Sequence, residues 1–398
     1  MRLRRRTVAI AAAAGAALAV GGRIARETAG DRLSARTERR LNTVVDPGPY
    51  PLPPAVADLH ERLTVVDLHA DSLLWGRDLL LRADRGHVDV PRLAEGNVAI
   101  QVFAMATKVP RHLGYERNDD RTDDVTLVAL AQGWPVATWR SLTARAEHQA
   151  RRLHATAARS GGQLTVVRTA RELDRFLERR AGDPTLVAGL LAIEGAHALD
   201  ADIANLARLD AAGYRMVGLA HFFDNAFAGS AHGVTKGGLT PAGRDLVGEL
   251  ERREILVDLA HASDETIDDV LRIATRPVIA SHTGVRAVAE HGRNLSDDQL
   301  RAIAATGGVV GIGFWPTACG GDTVEWIARS IVHAVSVIGA EHVALGSDFD
   351  GAVGVPFDTS GMGLLTGALL GLGLDQDQIA GVMGGSAVRL LRATLPAG

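Results

Sequence analysis

Residues 64–71 read TVVDLHAD: an apolar, β-branched run that ends in His69-Ala70-Asp71. The two-residue spacing puts both polar side chains on one face of an extended segment. The run before them is apolar at nearly every position, which suits a strand covered on both faces, as in parallel sheets. Seven later stretches have the same character: VAIQVFA (98–104), LVAGLLAIEG (186–195), YRMVGLAH (214–221), ILVDLAH (255–261), PVIASH (277–282), GVVGIGF (308–314) and HVALGSD (342–348). Helical patterns separate most of them, at 120–159, 240–253, 264–274, 296–305 and 322–338. Eight strands alternating with helices predict an α/β fold closed as a (β/α)8 TIM barrel rather than an open sheet.

What terminates these strands points to chemistry. His69 and Asp71 close the first, Glu194 the third, His221 the fourth, His261 the fifth, His282 the sixth and Asp348 the eighth. In such barrels the C-terminal strand ends form the active-site face. One histidine after a strand is most often a satisfied hydrogen-bonding group. Seven titratable groups at one end of one barrel are different, because buried charges are costly unless paired or metal-bound. The donor set, imidazole nitrogen and carboxylate oxygen, suits zinc or a similar divalent ion. Two ions need a bridge, and Glu194 is the natural candidate. Such a pair can lower the pKa of a water and hold a polarised carbonyl, while a strand-end carboxylate moves the proton. The barrel is therefore expected to be of the metal-dependent hydrolase type.

The chain has 398 residues, 46% apolar and 23% charged, which is ordinary globular composition. Its net charge of −4 gives no basic field for nucleic acid. Cys319 is the single cysteine, which excludes an intrachain disulfide and a Cys-rich zinc module. MRLRRR at residues 1–6, followed by the alanine-rich apolar run Thr7–Gly22, has the form of an export signal. The apolar run of ~15 residues is short for the ~20 that span a bilayer. A cleaved signal, an uncleaved anchor and an ordinary helix remain open for residues 1–22. The first two would leave the rest of the chain extracytoplasmic, membrane-anchored or secreted. Residues 23–54 read as a linker, charged and helix-compatible at 23–40 and then proline-rich, with DPGPYPLPP at 46–54, and residues 55–398 as the catalytic domain. The long insertion after the second strand, about 105–185, contains the charged piece ERNDDRTDD and two expected helices. It reads as barrel decoration in preference to a lid or dimer contact.

Several pieces, among them VVDLHADSLLW (65–75), AIEGAHAL (192–199), LAHFFDNAFAGSAHG (219–233), SHTGVRAV (281–288), RNLSDDQL (293–300) and LGSDFDG (345–351), resemble the membrane dipeptidase, or renal dipeptidase, family. The resemblance runs from about residue 60 to 395, in the family's order and spacing. It implies a barrel enzyme that hydrolyses dipeptides, often with a D-residue at the C-terminal side, using two zinc ions per chain. By resemblance His69 and Asp71 are ligands of one zinc, His261 and His282 of the other, and Glu194 bridges them. His221 is similar to the histidine that contacts substrate and stabilises the oxyanion, and Arg293 to the arginine that holds the free carboxylate. Asp348 resembles the general acid/base that takes a proton from a bridging hydroxide and delivers it to the leaving amine. A homodimer is a further state the resemblance allows, and residues 1–22 allow membrane attachment through the N-terminus. The alternatives are another amidohydrolase, such as a lactonase, deacylase or deaminase, and a membrane-tethered binding protein without catalysis. Many of the former begin with His-x-His and bridge their metals with a modified lysine; His-x-Asp and a glutamate favour the dipeptidase.

Other residues carry blander expectations. His197 and His232 are expected on the surface or in loops, with a place near the site as the alternative; His291 is undecided beside Arg293, and Asp350 is expected to form a turn with Gly351. Asp67 and Asp258 are expected as paired buried carboxylates or barrel-end caps. The glycines at 307, 308, 311 and 313 lack the spacing of a nucleotide loop and fit close packing in a strand.

Overall fold

The computed structural model describes Gly30 and residues 32–398; residues 1–22, the expected signal or anchor, lie outside the described residues. Eight parallel strands form the centre: β1 (Val65–Ala70), β2 (Val98–Ala106), β3 (Val187–Glu194), β4 (Tyr214–Gly218), β5 (Leu256–Asp258), β6 (Ile279–Thr283), β7 (Val309–Ile312) and β8 (Val343–Leu345). Each pairs with the next, and β8 returns to β1 through Leu345 and Asp67, so the sheet closes. The expected (β/α)8 barrel is the fold. A short strand, Leu164–Val166, adds to the start of β3.

Closure explains why both faces of the strands are apolar. Val66, Ile100, Leu190, Met216, Leu256, Ile279, Val309 and Ala344, one from each strand, join a single cluster. A cluster shared by all eight strands is the barrel interior, and helix Ser386–Thr394 adds Leu390 and Leu391 to it. The alternate positions, among them Val65, Phe103, Leu191, Val217 and Val310, pack with the surrounding helices instead. The helices start where the chain offers caps. Thr240, Ser263 and Ser296 each accept a backbone N–H of the first turn of Pro241–Arg252, Asp264–Ile273 and Asp297–Ala305. The expected helical pattern at 120–159 is broken into Val125–Ala131 and Leu142–Arg159. Gly133, in the left-handed region at φ 65°, and Pro135 between them stop a continuous helix.

The interior leaves little room at β7. A Cβ on Gly311 would run into the carbonyl oxygen of Ser281 on β6, and one on Gly313 into the Trp315 ring. These glycines do serve close packing. Gly311→Ala is expected to lower stability by about 1–3 kcal/mol, as overpacking does; urea unfolding of the purified protein measures it. An unchanged midpoint would mean that β6 and β7 can separate without cost.

Two segments ahead of the barrel take part in the fold. Residues 32–41, within the stretch expected as a linker of helix-compatible character, are helical and packed against the barrel. Glu38 is fully buried there, with Arg77 Nε and Arg85 Nε each 2.8 Å from its carboxylate. Thr43–Val44 then pairs in parallel with Gly354–Val355, beyond β8. Apolar periodicity does not reveal this segment because its anchor is a buried ion pair. The proline-rich stretch after it has no regular structure until helix Pro54–Glu61 begins. Among the described residues, no helix is long and apolar enough to cross a membrane.

Candidate active site

The functional side chains sit at the C-terminal mouth, in two backbone settings. His69, Glu194 and His282 lie on β1, β3 and β6 themselves. His221, His261 and Asp348 lie three residues beyond β4, β5 and β8, in turns rather than at the last strand position. His261 and Asp348 have φ near 60°, a conformation few non-glycine residues adopt. Such backbone persists where surrounding bonds enforce it, typically at functional sites. Two fully or nearly buried aspartates supply part of that enforcement. Asp67 accepts from Ser347 N and Oγ, at 2.8 and 2.7 Å, and from Gln101 Nε2 at 2.8 Å, tying β1 and β2 to the turn that carries Asp348. Asp258 Oδ1 accepts from Ala260 N and Ser281 N, at 3.0 and 2.8 Å, setting the turn into His261 and the strand of His282. Of the two readings expected for these aspartates, capping of backbone amides is the one observed.

Glu194 is the centre of the arrangement. Its Oε1 lies 3.1 Å from His261 Nε2, 3.3 Å from His282 Nε2 and 3.5 Å from His69 Nε2. Its Oε2 lies 3.2 Å from His221 Nε2. His69 Nε2 is also 3.4 Å from Asp71 Oδ2 and 4.0 Å from Asp348 Oδ1. The seven expected strand-end residues are therefore brought together. Arg293 joins them from the loop after β6; its Nη2 donates to His282 O at 2.6 Å, and its guanidinium lies 5.8 Å from the Trp315 ring.

Three overlapping groups of donors could hold an ion: His69, Glu194 and His282; Glu194, His221 and His261; and His69, Asp71 and Asp348. The chemistry of the set fits a divalent metal. His261 Nε2 and His282 Nε2 face each other at 3.0 Å, and Ser281 Oγ, 2.9 Å from His282 Nδ1, orients that ring. Donors ~2.1 Å from a tetrahedral ion lie ~3.4 Å apart, close to the spacings around Glu194. His69 Nε2 and Asp71 Oδ1 are buried without a hydrogen-bond partner, which suits atoms that ligate a metal.

The electrostatics agree. Burial pushes the Glu194 carboxyl well above its usual range, and Asp71 adds to the effect. Burial also lifts Asp348, to about 8, with Asp71 adding to it and His69 and Arg293 opposing. Burial works against charging His69, but Glu194, Asp71 and Asp348 outweigh it and hold its imidazole up to about 10. Burial keeps His221, His261 and His282 neutral, far below their ordinary value. Three carboxyls and four imidazoles thus converge on one buried volume, where a bound cation would stabilise the carboxylate forms that burial disfavours.

The cluster forms the floor of a cavity of about 510 Å³. Its neighbours include residues with blander expectations. His197 and His232 are buried beside the site, the alternative expected for them, rather than on the surface. The His232 ring lies 5.2 Å from that of His261, and its Nδ1 lies 2.6 Å from Tyr115 O. The loop from Phe222 folds back over the barrel, bridging Ser230 to Ala262, and no local pattern announces that return. Asp350 does sit in a turn, at φ 64°, but its side chain is a buried anchor. It pairs with Arg77 and accepts from Ser72 Oγ and His87 N, each at 2.6 Å. His291 Nδ1 accepts from Arg293 N at 3.0 Å, placing it against the arginine's backbone. Val109, Leu113, Tyr115 and Val125 line the cavity, so the first part of the insertion is a wall of the site rather than barrel decoration.

A closed parallel barrel with histidines and carboxylates converging at its C-terminal mouth is the architecture of a barrel metallohydrolase. Residues 55–396 match the membrane dipeptidase family, peptidase family M19, and the chain belongs to that family. It is 33% identical over 314 residues to the dipeptidase verJ of Clonostachys rogersoniana, covering 77% of this chain and 75% of that protein. It is 34% identical over 224 residues to an uncharacterised dipeptidase of Schizosaccharomyces pombe, covering 52% of this chain and about half, 53%, of that protein's length. A crystal structure of a metallopeptidase from Rhodobacter sphaeroides, liganded with a phosphinate mimic of the dipeptide L-Ala-D-Ala, superposes with a TM-score of 0.67. The two chains are 28% identical over 83% of this chain and 99% of that one.

Proposed function

We propose that this chain is a zinc-dependent dipeptidase with two ions per chain, Glu194 bridging them, His69 and Asp71 completing one site and His261 and His282 the other. The observation that carries the reading is the convergence on Glu194 of four histidine nitrogens within 3.5 Å, with Arg293 on the same cavity. The family match, and the dipeptide mimic in the Rhodobacter sphaeroides relative, support a dipeptide substrate. When bound, the ions would polarise the scissile carbonyl and lower the pKa of a water.

The chain's own groups do the rest. Arg293, buried and with its Nε lacking a partner, offers a planar donor for the substrate's free carboxylate. His221, neutral and turned toward Glu194, stands where it can donate to the oxygen that gains charge in the transition state. Burial lifts the Asp348 pKa to about 8, near neutral pH, so its carboxylate form can accept a proton and its acid form can return one. Asp348 takes a proton from the attacking water and passes it to the leaving nitrogen. The basic and apolar N-terminus supports an extracytoplasmic site of action.

Metal analysis and a small substrate panel test the reading: L-Ala-D-Ala, all-L dipeptides and their C-terminal amides. About two metals per chain and cleavage of the free dipeptides are expected. Metal binding without cleavage would move the assignment to another amide or ester. Arg293→Ala should cut kcat/KM for free dipeptides by a hundredfold or more, as loss of a buried charged partner does, roughly 3 kcal/mol. The amides should change far less. An equal loss on both would refute the carboxylate clamp.

A further inference from the structure

The cavity is larger and more apolar than the proposed chemistry requires. From Glu194 and Asp71 it extends past Leu74 and Trp75 to Leu33, Thr37 and Leu41 on the helix at residues 32–41. Val125 and Val128 of helix Val125–Ala131 also line it. The Trp75 indole N–H donates to Asp350 O at 2.8 Å, so its polar edge is satisfied within the protein.

The helix wall is fixed from several sides. Glu38 is locked to Arg77 and Arg85. Gln132 Nε2 donates to Ser34 Oγ at 3.1 Å, joining the helix to the insertion. Ala352 N donates to Asn42 Oδ1 at 2.8 Å, joining it to the turn that follows Asp348. The rim is apolar as well. Eleven large hydrophobic side chains are exposed among the described residues, and four of them, Leu33, Leu113, Tyr115 and Leu127, line this one cavity. Exposed apolar surface gathered at a cavity beside a polar floor marks a ligand site.

We propose that the helix at residues 32–41 forms one wall of an apolar pocket for the side chain of the substrate's N-terminal residue. The enzyme then favours dipeptides carrying a large apolar side chain there. This rests on the dipeptidase reading above. Arg293, on the β6–β7 side, fixes the carboxylate end. The other end of a dipeptide lying across Glu194 extends toward Asp71, Leu74 and the helix. The wall belongs to residues that precede the family match at residue 55, so the preference is a property of this chain's N-terminal extension.

The test compares kcat/KM for Leu-Ala, Ala-Leu and Gly-Ala on the full, zinc-loaded chain. Leu-Ala should exceed Gly-Ala by about tenfold or more, the scale of discrimination by an apolar pocket. Leu41→Asn removes part of the wall and Thr37→Trp fills the space beside it. Each should reduce the Leu-Ala to Gly-Ala ratio about tenfold. A general loss of folding would lower both substrates together and leave the ratio. Val136→Ser, at an exposed apolar residue outside the cavity, should keep the wild-type ratio. A ratio near one in the wild type, a ratio unmoved by both cavity variants, or a preference for Ala-Leu over Leu-Ala would overturn the pocket and leave the dipeptidase reading standing. Cleavage of none of the three, with metal bound, would overturn both.

Discussion

Glu194→Gln is expected to abolish dipeptide hydrolysis, lowering kcat/KM by at least about a thousandfold, roughly 4 kcal/mol. Its Oε1 lies within 3.5 Å of three imidazole nitrogens, a position its neighbours on other strands do not share among the ion pairs of the described residues. The amide keeps the shape but presents a weak, neutral donor, and metal content should fall with activity. The fold should not suffer, and here the sign of the pKa shift gives a second readout. Burial raises the Glu194 pKa in the folded chain above its ordinary 4.5. A group raised in this way contributes stability below its unfolded pKa, and that contribution is lost as pH rises. In metal-free protein, the wild type should therefore weaken relative to the glutamine variant as pH climbs above about 4.5. Denaturant midpoints in chelator at pH 5 and pH 8 measure the difference. Full activity with normal metal in the variant would remove Glu194 from the centre of the site.

How much of this was legible in the sequence depends on which force places each residue. The barrel strands were legible because closure buries both faces, leaving runs such as VAIQVFA with no polar position except Gln101, which serves Asp67. The site residues were legible because they follow those runs at once. Their backbone was not: the positive φ of His261 and Asp348 is set by Ser347, Asp67 and Asp258, whose bonds cross from strand to strand. The stretch at 23–40 reads as helix-compatible, but its packing against the barrel is not legible, because nothing local distinguishes Glu38 from a solvated charge. Only the fold brings Arg77 and Arg85 to it, from nearly 40 residues and more along the chain. His232 does lie in a loop, as one expectation has it, but its burial is not legible, because it depends on that loop returning over His261. Local pattern reports burial against neighbours in an element; it does not report a buried ion pair or a loop return closed by distant partners.

Asp348→Asn separates proton transfer from metal holding. Asp348 lies 4.0 Å from His69 Nε2, farther than either Asp71 or Glu194, so the first coordination of any ion at His69 can be completed without it. Its carboxyl titrates near neutral pH, at about 8, because burial lifts it against the attraction of His69 and Arg293. An asparagine fits the same space, and neither accepts a proton from water nor returns one to a leaving amine. General acid–base catalysis contributes about a hundred- to ten-thousandfold, and a group used twice in one turnover should stand at the upper end. The expected result is therefore a fall in kcat of about ten-thousandfold with metal content near that of the wild type. KM should move little, because Arg293, not Asp348, is the residue proposed to hold the substrate's carboxylate. Loss of metal in parallel with activity would make Asp348 a ligand, and the acid/base role would then have to pass to another group at the cavity floor.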